Sequence, residues 1–249
     1  MLRIEDSDRV RLVTIDRPDA LNSFSEALYD ETARMLIDTA ADPDVSVVVI
    51  TGTGRAFSAG TDIKEWSTRE SSEFVAGEHG FPGMVEQLAT FPKPLICAVN
   101  GLAIGIGATM LGFADLSFMS ADARLKCPFT DLGVAPEAAS SFTFPRLIGR
   151  QNASWVLLSS EWFTAEQCKE FGLVWKVCEP DRLLDEAMAH AGVLASKPLG
   201  SLMESKKTII AAWMPEIVAA REREDAAFVK LLAEPANREA LTAFTEGRG

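Results

Sequence analysis

The chain has 249 residues, and its 24 Lys and Arg against 36 Asp and Glu give a formal net charge of −12. This charge argues against nucleic acid and anionic membranes as partners, because both are bound through clustered basic side chains. With 47% hydrophobic and 24% charged residues, the chain has the composition of a globular protein and not of a disordered one.

In chain order, the first predicted element is a strand at Val10–Asp16, where apolar and polar residues alternate. Ser23 and Glu26 have the spacing of a capping box, which predicts that a helix begins there and runs to Asp42. The next segment, Val45–Ile50, is apolar at nearly every position. It predicts an interior strand that is covered on both faces.

The middle of the chain repeats this pattern. Leu95–Val99 predicts a second interior strand, Gly105–Ala114 a helix of small residues, and Leu116–Met119 another strand. Alternation of strands and helices is typical of an α/β fold in which helices connect strands of one sheet.

The second half is predicted to be helical. Only Val174–Cys178 has the pattern of a strand there. Helical periodicity covers Asn152–Ser159, Ala165–Phe171, Arg182–Ala195, Leu199–Trp213 and Ile217–Leu232.

Cysteine spacing, the chain ends and the apolar stretches predict a compartment. The four cysteines lie 30, 41 and 10 residues apart, which fits neither a zinc motif nor a disulfide framework. The first ten residues lack an apolar run, and the last five, TEGRG, match no peroxisomal address. Leu102–Phe118, the most apolar stretch, contains glycines and Asp115 and predicts buried core, not a membrane span. We therefore expect a cytoplasmic protein.

Several classes of chemistry lack their residues. The only histidines are His79 and His190, and Ser58 lacks the glycine that a nucleophile elbow needs two positions before the serine. Dinucleotide fingerprints beginning at Gly52 and Gly105 are incomplete, and the sequence has neither a phosphate-binding loop nor metal-ligand spacing. We therefore expect no metal site.

Two glycine-rich loops, Gly54–Lys64 and Asn100–Gly107, each follow a predicted interior strand. Small residues let a ligand approach the main chain closely, and backbone N–H groups at a helix start favour negative charge. If one N–H from each loop met at one oxygen, they would form an oxyanion hole. Two ordinary tight turns are the alternative interpretation.

Glu137 lies among small apolar residues in Leu132–Ser141. Desolvation would raise its pKa and make it a general base near neutral pH. Alternatively, because it follows Pro136, it would accept N–H groups at a helix start.

In combination and in this order, these segments resemble the crotonase, or enoyl-CoA hydratase/isomerase, superfamily. The resemblance implies an α/β, crotonase-like fold with repeated ββα units and a spiral core. It implies a core over residues 1–195 and a C-terminal helical trimerisation region over 196–249, with assembly into a homotrimer or hexamer. The matching segments are Ile15–Ser23, Gly54–Glu65, Asn100–Asp115, Leu132–Arg146 and Thr164–Val174.

The resemblance also implies an acyl-CoA thioester as substrate, so coenzyme A enters as part of the substrate and no separate cofactor is expected. The backbone N–H groups of Thr61 and Ile106 would hold the thioester oxygen. Residues implied to contact the substrate are Ala20, Leu21, Ala59, Gly60, Thr61, Asp62 and Ile63. CoA is polyanionic, so an acidic chain must gather positive groups locally, and Arg17, Arg55 and Lys64 are the candidates.

The reaction depends on the acids. The two glutamates of the superfamily's hydratases correspond here to Thr109 and Phe129, neither of which transfers a proton as a carboxylate does. The remaining Glu137 resembles the single catalytic glutamate of peroxisomal-type Δ3-Δ2-enoyl-CoA isomerases. Isomerisation is therefore the predicted reaction. The alternatives are hydration, thioester hydrolysis or another enolate step on the same site, and a non-catalytic acyl-CoA-binding protein.

Overall fold

The structure, a computed structural model, describes residues 1–69 and 74–245. In these ranges no helix combines the length and apolar character needed to cross a membrane. The strands are β1 (Leu2–Ser7), β2 (Val10–Ile15), β3 (Val47–Gly52), β4 (Ala56–Ser58), β5 (Leu95–Val99), β6 (Leu102–Ile104), β7 (Leu116–Ser120), β8 (Arg124–Lys126), β9 (Trp162–Thr164) and β10 (Lys176–Cys178). The α-helices are α1 (Glu26–Ala41), α2 (Ile63–Trp66), α3 (Gly80–Thr90), α4 (Ile106–Thr109), α5 (Ser140–Ser159), α6 (Ala165–Phe171), α7 (Leu183–Ala195), α8 (Leu199–Ile210), α9 (Met214–Leu232) and α10 (Pro235–Thr245).

The strands form two sheets. The larger has the order β1-β2-β3-β5-β7-β10 and is parallel except for the β1/β2 pair. The smaller has the order β4-β6-β8-β9, and only β9 is antiparallel to its neighbour. Consecutive strands alternate between the sheets: β3, β5 and β7 lie in the larger, and β4, β6 and β8 follow them in the smaller. This alternation confirms the α/β fold with repeated ββα units.

The inner strands β3 and β5 of the larger sheet are buried on both faces, as their apolar patterns predict, whereas the edge strand β1 is exposed over most of its length. Val48 and Ile50 face the main core, which includes residues of α1 and α3. Val47 and Val49 face a second cluster formed with α7. Parallel strands covered on both sides read as continuous apolar runs for this reason.

The predicted capping box is wrong. Helix α1 begins at Glu26, and its N-cap is Ser25, whose Oγ accepts the Leu28 N–H at 3.3 Å. Ser23 remains in the preceding turn, where its N–H donates to Ala20 at 3.0 Å. The following residue, Phe24, is extended and bridges to Thr61, so the helix cannot start earlier.

The predicted helix over Gly105–Ala114 is also wrong in part, because α4 ends at Thr109 and a 3₁₀ helix, Met110–Phe113, follows. Its glycines weaken an α-helix, and a Cβ on Gly112 would lie 2.5 Å from Oγ1 of Thr143. Close packing against α5 therefore requires glycine there. The expectation of a single strand in the second half is wrong as well, since β9 is present. Three-residue strands such as β9 are too short to show a period.

Helices α9 and α10 pack against their own chain. Phe228 of α9 makes an edge contact with Trp66 of α2, with ring centroids 6.3 Å apart. In α10, Asn237 Nδ2 donates to the Leu132 carbonyl at 2.8 Å. The two C-terminal helices thereby lie over the segment that contains Glu137.

Candidate active site

The candidate site lies at the carboxyl edge of the smaller sheet. Strands β4, β6 and β8 are adjacent and parallel, with Ser58 paired to Ala103, and Ile104 to Lys126. The carboxyl ends of adjacent parallel strands meet at one edge. The prediction of two loops is wrong in part, because β4 and β6 lie inside the two glycine-rich segments. The residues that follow these strands, from Ala59 and from Gly105, therefore emerge side by side with the Glu137 segment that follows β8.

Gly60 and Gly105 allow the two loops to touch. Gly60 has φ +88°, and a Cβ there would lie 2.9 Å from the Ile104 carbonyl oxygen. Gly105 has φ +53° and ψ −122°, a combination that L-residues with a side chain avoid. A Cβ on Gly105 would lie 3.7 Å from the Gly60 Cα. The loops thus approach each other backbone to backbone.

The N–H groups of Thr61 and Ile106 are available at this contact. Phe24 donates to the Gly60 carbonyl at 2.7 Å and accepts from the Asp62 N–H at 2.8 Å. In such a parallel bridge the N–H of the central residue, Thr61, points away from Phe24. Ile106 is the first residue of α4, so its N–H has no acceptor within the helix. Within the described residues neither N–H donates a hydrogen bond.

Tyr29 contacts the first glycine-rich loop through Thr61, and the sequence did not predict this contact. Its buried hydroxyl lies 2.8 Å from the Thr61 Oγ1. Burial raises the pKa of Tyr29 well above its usual value, and the Glu137 carboxylate acts in the same direction. The phenol is therefore neutral. Tyr29 was detectable only as an apolar position of α1.

Glu137 lies beside the second loop. Its Oε1 is 3.6 Å from the point that a Cβ on Gly105 would occupy. Within the described residues no hydrogen bond reaches its carboxylate. Burial raises the pKa of Glu137 to about 8, and the negative charge of Glu224 contributes to this rise. A carboxylate with this pKa is a suitable proton acceptor near neutral pH.

The turn after Glu137 is strained. Ala138 and Ala139 have φ +55° and +54°, a region that costs a residue with a side chain about 1–2 kcal/mol. Helix α5 begins only at Ser140, whose N–H and Oγ both donate to the Glu137 carbonyl, at 3.0 and 2.6 Å. The alternative interpretation, in which the Glu137 carboxylate accepts N–H groups of this helix, is therefore wrong.

Glu224 of α9 accepts those N–H groups instead. Its Oε2 accepts from Ala139 at 2.7 Å and its Oε1 from Ser141 at 2.8 Å. Burial raises the pKa of Glu224 above its usual value, although the hydrogen bonds from Ser141 and Ala139 act in the opposite direction. Nothing in the sequence indicated a special role for Glu224, because it is one of several charged residues in the helical segment that forms α9.

The sequence profile described as enoyl-CoA hydratase/isomerase matches residues 5–249 of the chain. The chain is a member of the enoyl-CoA hydratase/isomerase family. Its fold agrees with a solved enoyl-CoA hydratase from Mycobacterium marinum, with a TM-score of 0.82 and 58% identity over 84% of this chain and 99% of that one.

Isomerases are among the relatives. A 1,2-epoxyphenylacetyl-CoA isomerase of Escherichia coli strain K12 is 32% identical over 82% of this chain and 79% of its own length. The enoyl-CoA delta isomerase 2 of Rattus norvegicus is also 32% identical, over 85% of this chain but 55% of its own length. The family establishes enoyl-CoA chemistry for this chain at the level of hydratase or isomerase.

The two positions that the resemblance assigned to the hydratase glutamates, Thr109 and Phe129, carry no carboxylate. Thr109 is buried in α4, and its hydroxyl has no hydrogen-bond partner within the described residues. Phe129 is buried in the main core. Glu137 is thus the carboxylate that lies at the contact of the two loops.

The predicted CoA-contacting segments are brought together. Ala20 ends a short 3₁₀ helix, and the carbonyl of the next residue, Leu21, accepts the Ala59 N–H at 2.9 Å. Asp62 caps α2, whose first residue is Ile63, through the Glu65 N–H at 3.4 Å. These contacts join the Ala20 and Ala59 segments on one side of the Gly60 loop.

The candidate phosphate-binding cations differ in their surroundings. Arg17 pairs with Asp62 at 3.2 Å and donates to the Ser23 carbonyl, so its guanidinium is already engaged in holding the loop. Arg55 and Lys64 are exposed. These two fit the predicted phosphate-binding role better than Arg17 does.

Proposed function

We propose that this enzyme is a Δ3-Δ2-enoyl-CoA isomerase, which moves the double bond of a 3-enoyl-CoA to the 2-trans position. One observation supports the proposal above all: Glu137 lies at Gly105 with a raised pKa, while Thr109 and Phe129 occupy the hydratase positions. A site with one carboxylate can shuttle one proton between two carbons. Activating a water molecule for addition calls on a second acid.

In the proposed reaction, Glu137 removes a proton from carbon 2 of the 3-enoyl-CoA. The electron pair moves into the thioester, giving a dienolate whose oxygen accepts hydrogen bonds from the Thr61 and Ile106 N–H groups. The protonated Glu137 then returns the proton to carbon 4, and the double bond forms between carbons 2 and 3. No water is consumed and no other reactant is needed.

The general base and the oxyanion donors are expected to make contributions of similar size to the rate. A positioned general base contributes on the order of 10²–10⁴-fold, and an oxyanion donor on the order of 10²–10³-fold in kcat. Fixed N–H groups are effective because they need no reorganisation as charge develops on the oxygen. Gly105 adopts its positive φ without strain and has no side chain, which lets the start of α4, with the Ile106 N–H, lie beside Glu137.

Hydration of a 2-enoyl-CoA is the second candidate. The 58% identity to a solved protein named enoyl-CoA hydratase favours it. In that reaction Glu137 would have to position and activate the water alone, since Thr109 supplies a hydroxyl and Phe129 a hydrocarbon ring.

The first test is Glu137→Gln, assayed for conversion of a 3-enoyl-CoA. We expect kcat to fall on the order of 10²–10⁴-fold, because the amide cannot accept the proton, with a small change in KM. Glu86→Gln, an exposed position of α3, makes the same charge change and should keep wild-type activity. Undiminished turnover in the Glu137 variant would refute the proposal.

Assays of both reactions on one preparation distinguish hydration from isomerisation. We expect kcat/KM for isomerising the 3-enoyl-CoA to exceed that for hydrating the 2-enoyl isomer of the same chain length. A higher kcat/KM for hydration than for isomerisation would contradict the proposal and favour a hydratase. Binding of acyl-CoA without either turnover would point to a non-catalytic protein.

A further inference from the structure

Helix α5 has no cap of its own. Its N-cap residue, Ala139, has no side chain that can accept a hydrogen bond. The free N–H groups at its start donate instead to Glu224, which lies 85 residues further along the chain. Glu224 is only 5% exposed. A buried carboxylate whose two oxygens each accept a backbone N–H is held in one orientation.

These hydrogen bonds act on the strained turn. Ala138 and Ala139 both have positive φ, and such residues persist only where the surroundings impose the conformation. The N–H that Glu224 Oε2 holds is that of Ala139 itself. On the other side, Ser140 donates to the Glu137 carbonyl. The backbone carrying Glu137 is therefore fixed at both ends of the turn.

We propose that Glu224 is a positioning residue of the enzyme, which fixes the Glu137 carboxylate beside Gly105 and keeps a second negative charge behind it. The inference rests on the proposed function, in which Glu137 is the base. Glu224 itself acts through the α5 backbone and does not touch the reacting atoms in this proposal.

The charge of Glu224 has a direct consequence for Glu137. The titratable groups that interact with Glu137 are Tyr29 of α1, Cys127 after β8 and Glu224 of α9. Burial raises the pKa of Tyr29 and that of Cys127, so both are neutral between pH 7 and 9. Within the described residues, Glu224 is thus the charged group that disfavours ionisation of Glu137. A higher pKa makes Glu137 a stronger base.

The test is Glu224→Gln in the full chain. The amide accepts one N–H but not both, and it carries no charge. We expect the acid limb of the pH profile of kcat/KM to move down by about one pH unit. We expect kcat on the plateau to fall about tenfold through misplacement of the base, with KM within about twofold of wild type. A purely structural role would not move the acid limb.

Two further variants serve as controls. Glu222→Gln removes a charge from an exposed position of the same helix and should change neither the limb nor kcat. Glu224→Asp keeps the charge but shortens the reach, so kcat should fall while the limb stays in place. If Glu224→Gln fails to fold, wild-type kcat in Glu224→Asp overturns the proposal. Otherwise it is overturned by an unmoved limb and an unchanged kcat in Glu224→Gln.

A measurement without substrate separates this inference from the proposed function. The Glu137 carboxyl is titrated by ¹³C NMR in wild type and in Glu224→Gln, with its signal assigned by its loss in Glu137→Gln. A lowered pKa in a protein without isomerase activity supports the inference and refutes the reaction. If Glu224→Gln is active and the pKa of its Glu137 equals that of wild type, the inference is refuted and the proposed reaction is not.

Discussion

Glu137 is the proposed proton acceptor, and Glu224 accepts the N–H groups at the start of α5. One glutamate could not do both. A carboxylate that accepts N–H groups is stabilised in its ionised form and becomes a weaker base. Glu224 accepts the Ala139 and Ser141 N–H groups, so Glu137 is left without such bonds and its pKa stays high. The division of labour keeps the base reactive while its backbone is tightly held.

The raised pKa of Glu137 predicts a pH dependence. The base must be ionised to accept a proton, and burial together with Glu224 brings its pKa to about 8. We therefore expect kcat/KM for 3-enoyl-CoA to rise about tenfold per pH unit well below this value and to level off above it. Initial rates between pH 6 and 10 check this. A flat profile would mean that Glu137 does not titrate as the base.

At the scale of elements, the shortest strands decide the site. Strands β4, β6 and β8 have three residues each, yet their parallel pairing sets the two glycine-rich loops and the Glu137 segment side by side. The larger sheet stabilises this arrangement, because its inner strands β3 and β5 are buried on both faces between α1 and α3 on one side and α7 on the other. The two loops are therefore held in contact at Gly60 and Gly105, where positive φ and the missing side chains let the backbones approach.

The start of α1 gives a prediction at the same scale. Ser25→Ala removes the N-cap oxygen that the Leu28 N–H donates to, and we expect a loss of about 1 kcal/mol in the free energy of unfolding. Urea denaturation measures it. Ser23→Ala is the matched control: Ser23 is buried but does not cap the helix, so we expect a smaller loss than for Ser25→Ala. A larger loss in the free energy of unfolding for Ser23→Ala than for Ser25→Ala would support Ser23 as the N-cap and contradict this prediction.

At the scale of the whole molecule, the C-terminal helices complete the site of their own chain. Glu224 of α9 and Asn237 of α10 bind the segments on either side of Glu137. Arg221 of α9 donates to the Pro82 carbonyl at 2.8 Å and ties the same helix to α3. Residues 196–249, predicted as a trimerisation region, thus contribute to the site within one chain.

Assembly into a trimer or a pair of trimers stays a prediction. Trp155, Leu158 and Trp162 are large apolar side chains that are exposed in the single chain, and an interface between subunits would cover side chains of this kind. Light scattering on the purified protein is expected to give three or six times the chain mass of 27.0 kDa. A monomer at micromolar concentration would contradict this expectation.

The sequence by itself determined the class of fold and the interior strands, and it pointed to the segments that carry the proposed site. Apolar runs such as Leu95–Val99 fix a buried parallel strand because only burial on both faces suits them. The glycines at positions 60 and 105 mark close backbone approach. The apolar runs and the glycines are local features of the sequence. The missing acids at positions 109 and 129 narrow the possible reactions only through the family resemblance.

Only the tertiary structure decided which groups meet. Glu137 and Glu224 lie far apart in the chain, and either could have capped α5 as far as composition shows. The pairing of β4 with β6 and the packing of α9 on α5 assign the N–H groups to Glu224 and the desolvated position to Glu137. A pKa depends on burial and neighbouring charge, which are properties of the folded chain. The sequence therefore pointed to Glu137 as the proposed base, and the fold determines the surroundings that raise its pKa.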